Sequence, residues 1–455
     1  MPKMIRASLT RWLLTSTACV LATGCLLGTA SSDADDWSGW MGDNRDGVYR
    51  ETGIVQEIPS DGLPVKWRVP VGAGYAGPAV ADGKVYLFDY QMEGGKIVNS
   101  PNLRGELKGK ERLLVLDAQS GKELWSYSYE RPYSISYPAG PRATPTVDGD
   151  RVYLLGAEGD LTCLNTSNGD VIWQRNLPKS FGAEVPIWGY SAHPLVDGDL
   201  LYTMVGGAGQ GVVAFDKRTG KTAWKALDVP AGYCPPQIIE AGGTRQLVVF
   251  HPQGVQSLDP ATGDSHWLIP MKPSYEMSIA QPMVSGGRLY ASSIHSEAMM
   301  ADLGTDQPTA KAIWRGETKN AVHCSNAPPM FVDGVVYGTD CLTGKLIAVD
   351  GDNGDRFWET FEATKPDEKR MIKHGTAFLT RIGDSKRYLL FSETGELIMA
   401  DLTADGMKQL GRMQVVEPTN EAFGRPVVWS HPAYAEHTAF IRNDKEIVAV
   451  DLQQK

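Results

Sequence analysis

A chain of 455 residues with 42% hydrophobic content holds ample apolar material for a large core. Its 54 acidic against 44 basic residues give a net charge of −10, an acidic balance that repels phosphate backbones and argues against a nucleic-acid partner. Beyond the leader, no apolar run approaches the roughly 20 residues that a transmembrane helix needs, so an exported, soluble body is expected.

The first thirty residues read as a signal peptide. Lys3, Arg6 and Arg11 form a basic n-region, and residues 12–22 an apolar stretch too short to span a bilayer. Two processing sites stay open. Ala22-Thr23-Gly24-Cys25 has the form of a lipoprotein box that would lipidate Cys25, with Ala where Leu is usual, and Gly28-Thr29-Ala30 suits ordinary signal peptidase. Removing residues 1–30 takes away three basic and no acidic residues, which moves the charge from −10 to −13. An N-terminal extension over 31–62 and a repeat domain over 63–455 follow.

The repeat is marked by a short punctuation: an Asp, a few small or polar residues, Gly, three residues, Trp. Asp117 leads through Gly121 to Trp125, and the same spacing runs from Asp216 to Trp224, Asp259 to Trp267 and Asp350 to Trp358. Asn165 to Trp173 differs in its first residue, and Asp302 reaches Trp314 across a longer turn. Each copy reads as strand, tight turn with Gly at positive φ, then a strand opening on the aromatic. A second signature places Pro, an apolar pair, Asp-Gly or Gly-Gly, and then Tyr, as in Pro78–Tyr86, Pro145–Tyr153, Pro194–Tyr202, Pro282–Tyr290 and Pro329–Tyr337. Each unit therefore carries four antiparallel strands: A from the Trp, B from the Pro, C ending at Tyr and D ending at Asp. Eight D strands, near residues 115, 163, 214, 257, 300, 348, 399 and 449, predict an all-β, eight-bladed β-propeller. In this scheme Trp67 opens the first blade. The last strand, Ile447–Leu452, shares a sheet with Met413–Val416 beside it.

The punctuation resembles the tryptophan-docking motif of quinoprotein-type propellers. Residues Trp37–Tyr49, followed by GYAGPAVADGKVYLFD, resemble the opening of secreted bacterial PQQ-binding-like β-propeller repeat proteins. The repeats are also similar to the propeller lipoprotein of the outer-membrane assembly machinery. The first resemblance implies a funnel that holds pyrroloquinoline quinone with calcium, a vicinal disulfide, and a catalytic Asp beside Glu and Asn ligands. This chain has no Cys-Cys dipeptide and no C-x-x-C-H haem site, and although Glu276 and Asn326 could supply ligands, no Asp accompanies them. The expectation is accordingly a non-catalytic binding or scaffold module, monomeric and without cofactor, in the periplasm or outside the cell, with a lipid anchor at Cys25 left open. Its partner would be an envelope protein or a small anionic ligand. The alternative is a quinoprotein alcohol dehydrogenase with a degenerate site.

Function is expected on the face that carries the long A–B connections, since long irregular loops on a rigid scaffold are where sites are built. An insertion, Gln91–Lys110, joins that face between strands C and D of blade one. With strand A and the start of B placed nearest the axis, the candidate channel-mouth residues are Tyr75, Arg142, Trp188, Tyr190, His193, Tyr233, Glu276, His323, Asn326, His374 and Arg425. The cations and histidines among them predict a positive mouth, more so below about pH 6.5 as imidazoles protonate. Of four cysteines after the leader, Cys324 and Cys341 face each other diagonally across a hairpin and are candidates for a disulfide. Asp350–Asp355 and Asp43–Gly47 carry acids at calcium-loop density, but both are read as turns and no metal site is expected.

Overall fold

The Asp–Gly turns set the architecture. In the computed structural model, which describes residues 35–295, 297–368 and 370–454, the Asp216 carboxylate accepts from the Thr219 amide and hydroxyl (2.8 Å each). The Gly220 amide donates to the Asp216 carbonyl (2.9 Å) with Gly220 at φ 66°. This closes a hairpin that pairs Val212–Asp216 with Thr222–Ala226. At Asp350 the carboxylate likewise accepts from the Asp352 amide of its own turn (2.8 Å). The expected leader and Cys25 lie outside the described residues.

A hairpin turn joins the strands on either side of it into one sheet, so each tryptophan strand belongs to the blade before it. The blades run B, C, D, A from inside out. The inner strands are Ala79–Ala81, Thr146–Asp148, Leu195–Asp197, Gln237–Ala241, Met283–Ser285, Met330–Val332, Ala377–Ile382 and Ala433–Ala435, heading blades one to eight. Ala79–Ala81 touches both Ala433–Ala435 and Thr146–Asp148 around the axis. Strand A is thus the outer rim, not a channel wall, and each A–B connection crosses from the rim of one blade to the centre of the next. Ring closure is corrected for the same reason. Val65–Pro70 pairs antiparallel with Glu446–Asp451, Trp67 opposite Ala449, so the N-terminal strand completes blade eight. Met413 lies instead in Gly406–Gln414, the outer strand of blade seven.

Both repeat signatures serve packing. Within a blade, the strand-C tyrosine meets the tryptophan of the same sheet, as Tyr202 and Trp224 do at 5.8 Å between ring centres. Between blades, the indole nitrogen donates to a carbonyl in the next punctuation turn: Trp67 to Ala118 (2.9 Å), Trp173 to Lys217 (3.0 Å), Trp224 to Pro260 (3.0 Å) and Trp358 to Thr403 (2.8 Å). Trp267 departs from the pattern. The following turn is the longer Leu303–Thr309 segment, and Trp267 donates to Gln246 of its own blade (2.8 Å).

The N-terminal extension fills the channel. Trp37 exchanges two backbone hydrogen bonds with Val80 of blade one (2.8 Å each), and the Val147 amide of blade two donates to the Ser38 carbonyl (2.8 Å). Arg45 donates to the Pro194 and His193 carbonyls (2.8 and 3.1 Å) ahead of blade three. Gln281, ahead of blade five, donates to the Arg45 carbonyl (2.8 Å), and Val48–Tyr49 runs parallel to Arg381–Ile382 of blade seven. Residues 37–49 therefore plug the axis and tie blades together across it.

The insertion in blade one is not an irregular loop. Its strands continue the ladder of Lys84–Gly95 and Gly105–Asp117 beyond the blade, and Tyr133–Ile135 pairs along their edge. The tip meets the small hairpin ahead of blade eight, where the Asn99 amide donates to the Asn420 side chain and the Glu421 carbonyl (2.6 Å each).

Candidate functional site

On the face of the A–B connections, the eight crossings converge on a cavity of about 390 Å³. Tyr75 enters from the connection before blade one, Tyr137 and Arg142 before blade two, and Trp188, Ser191 and His193 before blade three. Tyr233 and Pro235, then Tyr275, Met277, Ile279 and Ala280, then Ser325, Asn326 and Pro328, then Lys373, His374 and Phe378, and then Phe423, Trp429 and His431 follow in ring order. Pro101 and Asn102 from the blade-one hairpin and Ile294 and His295 from blade five complete the wall. The floor is Trp40 of the plug, stacked on His193 (ring centres 4.1 Å, planes 17° apart) with His431 edge-on at 4.5 Å. Its indole donates to Gln281 (3.0 Å).

The walls are largely aromatic. Trp188 meets Tyr233 edge-on (5.6 Å), and Phe423 stacks on His374 (4.9 Å, 4°). Phe423 stands at the turn of a small hairpin, Asn420–Ala422 with Arg425–Val427. Five lining residues, Tyr137, Tyr275, His295, His374 and Phe423, have φ between 50° and 71°. Left-handed backbone is costly for such side chains, and its clustering here marks a place where geometry is imposed rather than relaxed.

The electrostatics differ from a simple positive mouth. The Arg142 guanidinium donates to the carbonyls of Trp188 and Ser136 (2.8 Å each) and of Gly140 and Tyr137, and it lies over the Tyr75 ring at 5.2 Å. Burial lowers its pKa, and among the described residues no carboxylate forms an ion pair with it. Arg425 is neutralised by Glu393 in a two-pronged pair (2.7 and 3.1 Å) that also takes the Trp429 indole proton. Three lining histidines are pushed toward the neutral form. Burial pushes His431 down to about 4, and burial followed by Arg425 does the same to His374. His193 falls well below its ordinary value through burial, His431 and Arg45. His193, His374 and His431 are therefore no source of a gain of positive charge just below pH 6.5, because these rings are held dry.

This has a consequence for stability. His431 is 7% exposed, shares a hydrogen bond between its Nε2 and the Thr144 hydroxyl (2.7 Å), and is held toward the neutral form by burial when folded. The unfolded chain takes up its proton first as pH falls below 6.5, so stability is present above that value and is lost down to about pH 4. The shift corresponds to about 3 kcal/mol. Urea melts at pH 7 and pH 4 should show this loss, reduced in His431→Gln; equal acid sensitivity in the two proteins would contradict it.

Seven of the residues singled out in the sequence line the cavity: Tyr75, Arg142, Trp188, His193, Tyr233, Asn326 and His374. Four do not. The Tyr190 hydroxyl donates into the blade interior at the Val205 carbonyl (3.1 Å), and Glu276 is exposed at the rim. His323 is fully buried 3.5 Å from Asp340, and Arg425 is held off the lining by Glu393. The bridge expected between Cys324 and Cys341 is absent from the structure. Both thiols are free and buried; Cys324 packs under Gly338, while Cys341 faces the His295 backbone. Among residues sequence reasoning passed over, Trp40, Phe423, Trp429 and His431 matter most. A pair of tryptophans in a thirteen-residue stretch ahead of the first repeat was the available signal for the plug.

Comparison with known proteins places these features. A family model described as outer membrane protein assembly factor BamB matches residues 58–185, 109–360 and 304–455. The crystal structure of BamB from Moraxella catarrhalis superimposes with a TM-score of 0.57 at 13% identity, over 86% of this chain and 98% of that one, a likeness of fold. Quinohemoprotein alcohol dehydrogenase ADH IIB of Pseudomonas putida is 30% identical over 169 residues, 34% of this chain and 21% of that protein. Serine/threonine-protein kinase AfsK of Streptomyces griseus is 26% identical over 208 residues, 45% and 20% respectively. The chain spans about a fifth of the length of these curated relatives.

Proposed function

The chain belongs to the PQQ_2 repeat family, whose model is described as outer membrane protein assembly factor BamB, and from that premise we propose that it is an exported, non-catalytic β-propeller acting as a binding and scaffold module in the bacterial envelope. The leader would deliver it to the periplasm or beyond, with lipidation of Cys25 as one mode of attachment. The observation that carries the reading is the aromatic cavity at the convergence of all eight blade crossings, closed beneath by Trp40. A rigid aromatic bowl offers contact area at low entropic cost, the property of a recognition surface.

A quinoprotein dehydrogenase draws support from the 169-residue match to ADH IIB, but the residues here do not suit its cofactor. Among the described residues no Asp or Glu lines the cavity, Asn326 turns its amide toward the Thr376 hydroxyl (3.3 Å), and Glu276 stands outside. Calcium takes carboxylate and carbonyl oxygens, and this donor set is aromatic and imidazole. Titration with pyrroloquinoline quinone and calcium should give no saturable binding and no dye-linked alcohol oxidation. Stoichiometric micromolar binding with turnover would replace the scaffold reading by the dehydrogenase. Affinity capture from envelope extracts should in turn recover a partner with wild type and lose it with Phe423→Ala, Trp188→Ala.

A further inference from the structure

We infer that the cavity receives a peptide segment in which an aromatic side chain stands next to a carboxylate. The inference rests on the reading of this face as a binding surface and names the chemistry of what it binds. Three observations lead to it.

The walls supply ring faces, with Trp188, Tyr233 and Phe423 at the cavity edge, so the inserted group is flat and apolar. The charge in the lining is cationic: Arg142 donates to carbonyls, lies over the Tyr75 ring and forms no ion pair among the described residues, and Lys373, exposed in the lining, has no ion-pair partner among them either. Among the described residues no carboxylate lines the cavity to balance them, and burial holds His374 and His431 toward the neutral form. An aromatic box alone would favour a cation; with unmatched cations in its wall, this one disfavours a cation and draws an anion. Glu276 at the rim is the opposing charge, and it lies outside the lining.

The third observation separates a peptide from a small molecule. The lining residues Tyr275 and Phe423 are exposed by 71 and 46%, and beyond the cavity edge Leu103 and Met371 are exposed by 67 and 72%. Leu103 and Met371 stand on separate segments close in sequence to the lining residues Asn102 and Lys373, and outside the lining met by a ligand confined to about 390 Å³. A polypeptide that inserts one ring and continues across the rim covers them; a free aromatic acid does not.

The test uses the purified chain and end-blocked pentapeptides followed by calorimetry. Gly-Asp-Phe-Asp-Gly should bind saturably and weaken as salt rises. Gly-Lys-Phe-Lys-Gly and Gly-Asp-Ala-Asp-Gly should bind at least about tenfold less tightly. Lys373→Glu, an exposed change that leaves folding intact, should weaken the acidic peptide about fivefold, an exposed ion pair being worth up to about 1 kcal/mol. Met371→Ala should weaken the peptide and leave phenylacetate unaffected. Equal binding of the lysine peptide, no effect of Lys373→Glu, or phenylacetate binding as tightly as the peptide would each overturn the inference. Its failure is separable from that of the scaffold reading: an envelope partner captured through this face while the acidic peptide fails to bind would sink the peptide chemistry alone.

Discussion

Trp173→Ala should cost about 3–5 kcal/mol of stability, the range for removing a large buried aromatic. Trp173 is 8% exposed, its indole bonds the Lys217 carbonyl of the next blade, and its ring lies on Gly220. A β-carbon at Gly220 would come within 2.6 Å of that ring, at a φ of 66°. Gly220→Ala is therefore expected to destabilise as well, by about 1–3 kcal/mol from overpacking and left-handed strain together. A double mutant would cost less than the sum, since both changes break the same blade contact. Urea midpoints measure all three; a loss under about 1 kcal/mol for Trp173→Ala would mean the tryptophan does not hold the blades together.

Trp40→Ala is the second large effect, again about 3–5 kcal/mol. The ring is 7% exposed, stacked on His193 and bonded to Gln281, although it lies in an extension outside the repeats. Its loss removes the cavity floor and loosens residues 37–49 from the inner strands. Amide exchange at Trp37 and Val80, which bond each other at 2.8 Å, should then speed up well beyond that at Phe215 and Leu247 in the blade interiors. Unchanged protection at Trp37 would show that the plug is held without Trp40.

The eight blades were legible because their signals are local. An Asp carboxylate capping its own turn and a Gly at positive φ can be read from a few adjacent residues, as at Asp216 and Gly220. What was misread depends on distant pairing. The partner of Trp67 is Ala449, 382 positions away, and no local pattern announces it. The eighth inner strand hid for a different reason: after Pro432 its turn is Glu436-His437, both at φ 52°, where blades one, four, five and six use Asp-Gly or Gly-Gly. The same type of hairpin turn is made without the residues that advertise it. Arg425, ahead of that strand, belongs to the separate hairpin of Asn420–Ala422 with Arg425–Val427. Residue type pointed to Tyr75, Arg142, Trp188 and His374 at the mouth, but whether a cation is free or engaged is a matter of three-dimensional neighbours. Glu393 beside Arg425 is the clearest instance.

The claim that the A–B face is the working surface is tested most directly by photo-crosslinking in the intact envelope. A photoreactive residue at Met371, 72% exposed at the cavity rim, is compared with one at Asp199, whose side chain is 76% exposed in the turn between the first two strands of blade three, on the opposite face. The account predicts a discrete protein adduct from position 371 that disappears with Phe423→Ala, Trp188→Ala, and none from position 199. An adduct formed from position 199 alone, or one from position 371 that survives those substitutions, would contradict it.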